Sequence, residues 1–323
     1  MTHFDRRSVL AATLALAMGC AGLAASDALA EADYPTRPIT MLVGYGAGGQ
    51  TDLVARATAH VMSDKLGQPV NVVNKPGVGG AVAARELKRA APDGYTVLFN
   101  SNAMINLAPF LMKNAYFAPD EFDYAGMITA FQLAIAAPKD APFDDIAGYV
   151  AWAEKNPGSS AAALAPEARL YINEIVKKTG IKVNIVPVQS GSEMINALLG
   201  GQVMVAYSGG IHYRYPDQLK TIAATTTFRH PSAPDVPTIE EQGYPLGMDT
   251  RTTLMLPKGT PQAVIDKLTA ALKACAGDPN FKKVTDAADI PIQYLDAAAA
   301  TKEMIDSTAK NKAIVEAAGV VAK

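Results

Sequence analysis

Cysteine, tryptophan and histidine are all scarce: 323 residues carry two cysteines, one tryptophan and four histidines. Cys20 lies in the N-terminal leader, so only Cys275 belongs to the mature chain, and a disulfide framework is excluded even in an oxidising compartment. Beyond the leader the histidines are His60, His212 and His230, too dispersed for a metal cage. C-x-x-C, H-E-x-x-H and the G-x-S-x-G nucleophile elbow are missing, which leaves few routes to catalysis. Charge of one sign is missing too. Lys plus Arg is 29 against 31 for Asp plus Glu, a net charge of −2, so no basic excess calls for nucleic acid. No apolar run past the leader is long enough to span a membrane. What is present is a globular composition, 49% hydrophobic and 19% charged, in a chain long enough for two lobes or one large domain.

The first thirty residues read as an address. Arg6-Arg7-Ser8-Val9-Leu10 is a twin arginine followed by apolar residues, an Ala/Leu-rich run continues to Ala25, and Ala28-Leu29-Ala30 is a small-x-small cleavage site. Together they predict a twin-arginine-like export signal at residues 1–30 and a periplasmic mature protein. Two alternatives stay open: a retained membrane anchor, and acylation of Cys20 in Ala17-Met18-Gly19-Cys20. Removing the leader deletes Arg6, Arg7, Asp5 and Asp27, so the net charge does not change.

The mature chain alternates strand and helix patterns. Strand-like runs are Ile39–Tyr45, Val70–Val73, Thr96–Phe99, Leu133–Ala137, Lys182–Val188, Val203–Ala206, Thr221–Ala224 and Thr252–Leu256. Helical patterns cover Asp52–Leu66 (with Thr51 as N-cap and Gly67 as stop), Ala81–Ala91, Glu167–Thr179, Ser192–Leu199, a segment opening at Thr260-Pro261, and Asp296–Ala318. Such alternation predicts α/β lobes built on mixed, mostly parallel sheets flanked by helices. Cys275 follows Ile265, Leu268 and Leu272 at helical spacing and reads as core. His60 reads as a surface residue, His230 as a loop residue, and His212, after Ser208-Gly209-Gly210, as a candidate to face a cleft.

Gly44, Gly46 and Gly49 form G-x-G-x-x-G between a strand and a helix. Three readings compete: a dinucleotide fingerprint, a general anion cradle of backbone N–H groups at a helix N-terminus, and a turn kept for its shape. A dinucleotide site wants an acidic residue at the end of the second strand. Here that strand ends Val73-Asn74-Lys75, which favours a carboxylate cradle and no cofactor.

Further segments carry a resemblance. They are Tyr34-Pro35-Thr36-Arg37-Pro38-Ile39, Gly48-Gly49-Gln50-Thr51-Asp52 with Ala55-Arg56, Asn74-Lys75-Pro76-Gly77-Val78-Gly79-Gly80, and Ala91-Pro92-Asp93-Gly94-Tyr95-Thr96. Later come Leu199-Gly200-Gly201-Gln202-Val203, Pro234-Asp235-Val236-Pro237-Thr238 and Pro257-Lys258-Gly259-Thr260-Pro261. In this order and spacing they resemble the Bug-type (TctC-like) solute receptors of tripartite tricarboxylate transporters, over nearly all of the mature chain. The resemblance implies a two-lobed periplasmic binding protein of type II-like architecture, not an enzyme. Lobe 1 would be residues 31–136 plus 254–323 and lobe 2 residues 137–253. It implies a small organic carboxylate, a di- or tricarboxylate first, held in the interlobe cleft near Ala47, Gly48, Gly49, Gln50, Thr51 and Asp52 and near Ser101, Asn102 and Ala103. It also implies a monomer partnered by membrane transporter subunits, or by a sensor protein reading the closed form, with no nucleic acid. An exported oxidoreductase with a nucleotide cofactor is the enzyme alternative.

The second lobe departs from the family pattern. The loop Ala162-Ala163-Leu164-Ala165-Pro166-Glu167-Ala168-Arg169 puts Arg169 where a His is common, and Ser190 closes a Val188-Gln189-Ser190 that replaces Tyr-Lys-Gly. In Ala206-Tyr207-Ser208-Gly209-Gly210, Ser208 falls where amino-acid-binding members carry an Asp, and Arg251 replaces a frequent Trp. Ala165, Pro166, Arg169, Ser190, Tyr207, Ser208, Gly209 and Arg251 therefore complete the expected site. One acid lost and two guanidinium groups gained predict poor binding of amino acids and a second anionic group on the ligand, gripped by Arg169 or Arg251.

Overall fold

The computed structural model describes residues 34–113, 117–164 and 166–319. The expected export signal, Cys20 and Ala165 lie outside them, and no helix among the described residues is long and apolar enough to cross a membrane. The chain first lays down β1 (Ile39–Val43), α1 (Gln50–Leu66), β2 (Val70–Asn74), α2 (Ala81–Arg89), β3 (Thr96–Ser101), α3 (Ala103–Asn106), α4 (Ala108–Leu111) and β4 (Phe122–Ala130). It then crosses into β5 (Ala134–Pro138), α5 (Ile146–Lys155), β6 (Ser159–Ala163), α6 (Pro166–Thr179), β7 (Val183–Pro187), α7 (Gly191–Leu199), β8 (Val205–Ser208) and β9 (Leu219–Ala224). It returns through β10 (Arg251–Pro257) to α8 (Gln262–Gly277), α9 (Pro279–Asp286), β11 (Ile292–Leu295) and α10 (Ala297–Ala317).

Local sequence explains the element boundaries. In β1 every residue except Thr40 is buried, as a strand covered on both faces demands. α1 ends where expected: Gly67 takes the left-handed conformation, φ 67°, and its N–H donates to Ser63 O at 3.0 Å. Its start differs, since the cap residue is Gly49, not Thr51, and no side chain caps it. The last helix is capped by Asp296, whose carboxylate accepts from Ala299 N–H at 2.9 Å. Cys275 is buried as expected, and burial pushes its thiol up to about 12.

Two sheets result, of order β11-β4-β10-β3-β1-β2 and β7-β6-β8-β5-β9. Both are mixed, but parallel pairing does not dominate. β1 runs parallel to β2 and β3, and β6 to β7 and β8; β3–β10, β10–β4, β4–β11, β8–β5 and β5–β9 are antiparallel. Four of the five antiparallel pairs involve β5 or β10, the strands that follow the two crossings. Those crossings come earlier than the expected boundaries at 136/137 and 253/254. β5 already belongs to the second sheet from Ala134, and β10 to the first from Arg251. Between the sheets the two linkers run side by side, with Phe131 N–H donating to Thr250 O at 2.9 Å and Thr225 N–H to Leu133 O at 2.7 Å. The apolar cluster of the second lobe does not stop at these linkers. It takes in Ala103 and Leu107 from the first lobe and Val315 from α10, beside Tyr171, Ile172 and Ile175 of α6. Lys177 Nζ also donates to Ala318 O at 2.9 Å, tying α6 to the end of α10.

The second lobe buries an unbroken polar chain. Thr226 Oγ1 donates to Phe228 O at 2.6 Å, so it accepts from His230 Nε2 at 3.0 Å. His230 Nδ1 must then accept from Tyr213 OH at 2.7 Å, Tyr213 accepts from Thr221 Oγ1 at 3.2 Å, Thr221 accepts from His212 Nε2 at 2.8 Å, and His212 Nδ1 accepts from Ser208 Oγ at 2.8 Å. Every hydroxyl points one way, and both rings are neutral with the proton on Nε2. A second proton on either ring would face another donor. Burial pushes His212 down to about 3 and His230 down to about 4. A histidine whose pKa is lower in the folded state binds its extra proton only in the unfolded chain. Stability is therefore complete above about pH 6.5 and falls toward pH 4, by about 1.4 kcal/mol per pH unit for each histidine. Urea unfolding of the protein and of His212→Gln between pH 6.5 and 4.5 tests this. The variant's stability should fall less steeply, by about that same amount per pH unit for the one histidine removed.

Candidate functional site

The site is built where the lobes face each other. β1 ends in the loop Gly44–Gly49, and the first turn of α1 follows without a side-chain cap, so its free N–H groups are held on a glycine backbone. Asp52 shapes this loop from behind. Its carboxylate accepts from Gly48 N–H at 3.0 Å, from Arg56 Nε at 3.0 Å and from Asn74 Nδ2 at 2.9 Å, and Asn74 Nδ2 also donates to Tyr45 O at 2.9 Å. Burial alone would raise Asp52, but these hydrogen bonds outweigh it and hold the carboxyl below the usual range. Asp52 therefore arranges the loop and does not line the cavity.

A second helix start comes from the other lobe. Ser190 Oγ accepts from Glu193 N–H at 3.1 Å and caps the head of α7, while the Glu193 carboxylate accepts from Gln189 N–H at 2.7 Å just before it. The two helix starts meet at their glycines. A Cβ on Gly49 would lie 3.1 Å from Gly191 N, and a Cβ on Gly191 would lie 3.1 Å from Gly49 Cα. Gly46 N–H reaches Gln189 O at 3.4 Å beside them. A side chain at either position would have to push the lobes apart by at least a few tenths of an ångström.

Around this junction lies a small cavity of about 40 Å3. Tyr45, Gly49, Gln50, Thr51 and Ser101 line it from the first lobe, Leu164, Glu167, Gly191, Tyr207, Gly209 and Ile211 from the second, and Phe131, Leu133 and Thr250 from the linkers. The Gln50 amide, buried at both polar atoms, has no hydrogen-bond partner among the described residues and reaches over Gly210, where a Cβ would lie 2.6 Å from its Oε1. Glu167, 5% exposed, is the one acidic lining residue; burial pushes its carboxyl up to about 7, its own backbone N–H pulling the other way. Among the described residues no group of His, Cys, Asp and Glu could hold a metal ion.

Of the residues expected from the sequence, Gly49, Gln50, Thr51, Ser101, Tyr207 and Gly209 are brought together here. Ala47 and Gly48 are exposed on the loop, and Pro166 opens α6. Ser190 serves as a helix cap. Asn102 is buried with its Oδ1 accepting from Arg251 N–H at 3.0 Å, and Ala103 belongs to the apolar cluster. Ser208 faces the polar chain of the second lobe, as does His212, which does not line the cavity. The two expected guanidinium grips are elsewhere. Arg251 Nη1 pairs with Glu303 at 2.8 Å and Nη2 donates to Gln293 at 3.1 Å, both on the far side of β10, while Arg169 is exposed on α6. The residue missed was Glu167, two positions before Arg169. Two helical residues are about 200° apart, and the signal for the right face was the run Glu167, Leu170, Tyr171, Ile175, with spacings of a buried stripe.

Comparison with known proteins agrees with this architecture. Residues 54–320 match the tripartite tricarboxylate transporter family receptor. A UPF0065 protein from the gbd 5′ region of Cupriavidus necator is 33% identical over 325 residues, covering 98% of each chain. The structure of the periplasmic binding protein BugD superposes with TM-score 0.81 at 30% identity, over 90% of this chain and all of that one. MatC from Rhodopseudomonas palustris, solved with bound malate, shares the fold with TM-score 0.77 at 24% identity, over 87% of this chain and all of that one. The chain belongs to the tripartite tricarboxylate transporter receptor family and is, like its relatives, a periplasmic solute-binding protein of the Bug type and not an enzyme.

Proposed function

We propose that this receptor captures a small organic carboxylate in the cavity between its lobes and presents it to the membrane subunits of a tripartite tricarboxylate-type transporter. The observation that carries the reading is the meeting of two helix N-termini, one from each lobe, at Gly49 and Gly191. Both helix ends are electropositive, and the one at Gly49 offers free N–H groups, so an anion between them gains from each lobe at once. Such a ligand contacts both lobes only when they are together, and this differential contact is what drives closure. The N-terminal signal at residues 1–30 would deliver the protein to the periplasm, where it works as a monomer. Malate, bound by a protein of the same fold, is the first ligand to try, and other plain dicarboxylates follow.

A thermal-shift screen of organic acids checks this: a micromolar ligand at millimolar concentration should add roughly 4 kcal/mol to stability. Gly191→Val should weaken binding at least a hundredfold, because a branched Cβ would strike the Gly49 backbone, while circular dichroism and the urea midpoint of the empty protein stay close to the parent. Undiminished affinity in that folded variant would place the ligand elsewhere.

Arg251→Ala should lower stability by about 1 kcal/mol, through loss of a partly exposed ion pair, and change ligand affinity less than threefold. Arg169→Ala should change neither. Calorimetry on the two variants decides whether the guanidinium groups touch the ligand.

A further inference from the structure

Glu167 is the feature of the cavity that a receptor for plain di- and tricarboxylates does not explain. It sits in the first turn of α6, 5% exposed, and lines the cavity, its carboxyl bonded to its own backbone N–H. A buried carboxylate needs a proton, a cation from the protein, or a cation from the ligand. Among the described residues no Lys or Arg pairs with it, and the nearest cation in sequence, Arg169, is exposed on the opposite face of the helix. The titratable groups facing it from the surrounding elements are tyrosines: Tyr45 from the β1–α1 loop, Tyr207 from β8, and Tyr171 one turn along α6. Asp249 and Glu240 act on Tyr171 from further off and add only negative charge. Phe131, Tyr45 and Tyr207 line the same cavity. A carboxylate beside aromatic faces is the surrounding that an alkylammonium group prefers. A second ligand carboxylate pointed at Glu167 would instead meet a like charge, or would have to leave Glu167 protonated.

We propose that Glu167 is the cation-receiving residue of this cavity and that the ligand is an amino carboxylate, its carboxylate at the paired starts of α1 and α7 and its protonated amine at Glu167. The assignment rests on the carboxylate-receptor reading above and narrows its ligand class. It reverses the expectation that loss of an acid at Ser208 disfavours amines. Ser208 is turned into the polar chain of the second lobe, and the acid reaches the cavity from α6 instead. The Glu167 carboxyl, pushed up to about 7 by burial, would release its proton as the amine arrives.

The test uses matched pairs differing only in the amine: leucine against 4-methylpentanoate, phenylalanine against 3-phenylpropanoate, and glutamate against glutarate. Calorimetry on the full mature protein should show the amino member of at least one pair binding tenfold or more tighter. Glu167→Gln should bring that pair within threefold of each other while circular dichroism and melting temperature show the fold retained. Lowering the pH from 7.5 to 6.0 should weaken the amino ligand about eightfold in the parent, since Glu167 must ionise to receive it, and leave the Gln variant flat. A des-amino acid that binds as well or better in every pair, a preference that survives Glu167→Gln, or affinity that rises on acidification would overturn the role of Glu167 and leave the carboxylate receptor standing. If neither member of any pair binds, the amino-carboxylate assignment falls, and the thermal-shift screen of organic acids decides the carboxylate receptor separately.

Discussion

Two like poles meet in this protein. The N-terminal ends of α1 and α7 are both electropositive, and the closed arrangement brings them to backbone contact through Gly49 and Gly191. Left to themselves such ends repel. Each has an acid in its first turn, Asp52 in α1 and Glu193 in α7, but both carboxylates point back toward the preceding loop, to Gly48 and to Gln189. They order the loops without filling the space between the helices. What remains is a junction whose electrostatics favour an anion and whose tight packing suits glycine, and the rest of the cavity is arranged around it.

Much of this was legible in the sequence, because it is local. The glycine loop after an apolar strand, the stop at Gly67, the capped start at Asp296 and the buried Cys275 all depend on residues within a turn or two of one another. The unread parts depend on distance or on helical phase. The pairing of Arg251 is not legible locally, because its partner, Glu303, lies 52 residues further along the chain. β6, Ser159–Ala163, has only serine and alanine and carries no β-branched signal, yet it is a central strand of its sheet. Most of the antiparallel pairs arise where the chain crosses between lobes, which no strand announces by itself. In α6 the choice between Glu167 and Arg169 was a choice of helix face. A polar residue on a mostly apolar stripe is easily dismissed as an edge, and here it is the acid that the cavity contains.

The chemistry of the two lobes is accordingly divided. The first lobe offers backbone groups and one unpartnered amide, Gln50, whose place is set by the loop and not by side-chain charge. The second offers the side-chain carboxyl of Glu167 and the ring of Tyr207 on a scaffold stiffened by a one-directional chain of hydrogen bonds from Ser208 to Phe228. Generic anion recognition on one side and a variable side-chain wall on the other is an economical arrangement for a family of receptors, since the wall can change without disturbing the cradle.

The end of α10 gives the lobes a third attachment. Two linker strands alone would act like a door on a strip hinge, free to swing about the line they define. Val315 lodged in the apolar cluster of the second lobe and Ala318 O bonded to Lys177 add a point well away in sequence from both strands. Any swing must either keep that point on its axis or detach the last turn of the helix. The rotation axis is thereby constrained beyond the two strands, and the end of α10 becomes part of the bearing.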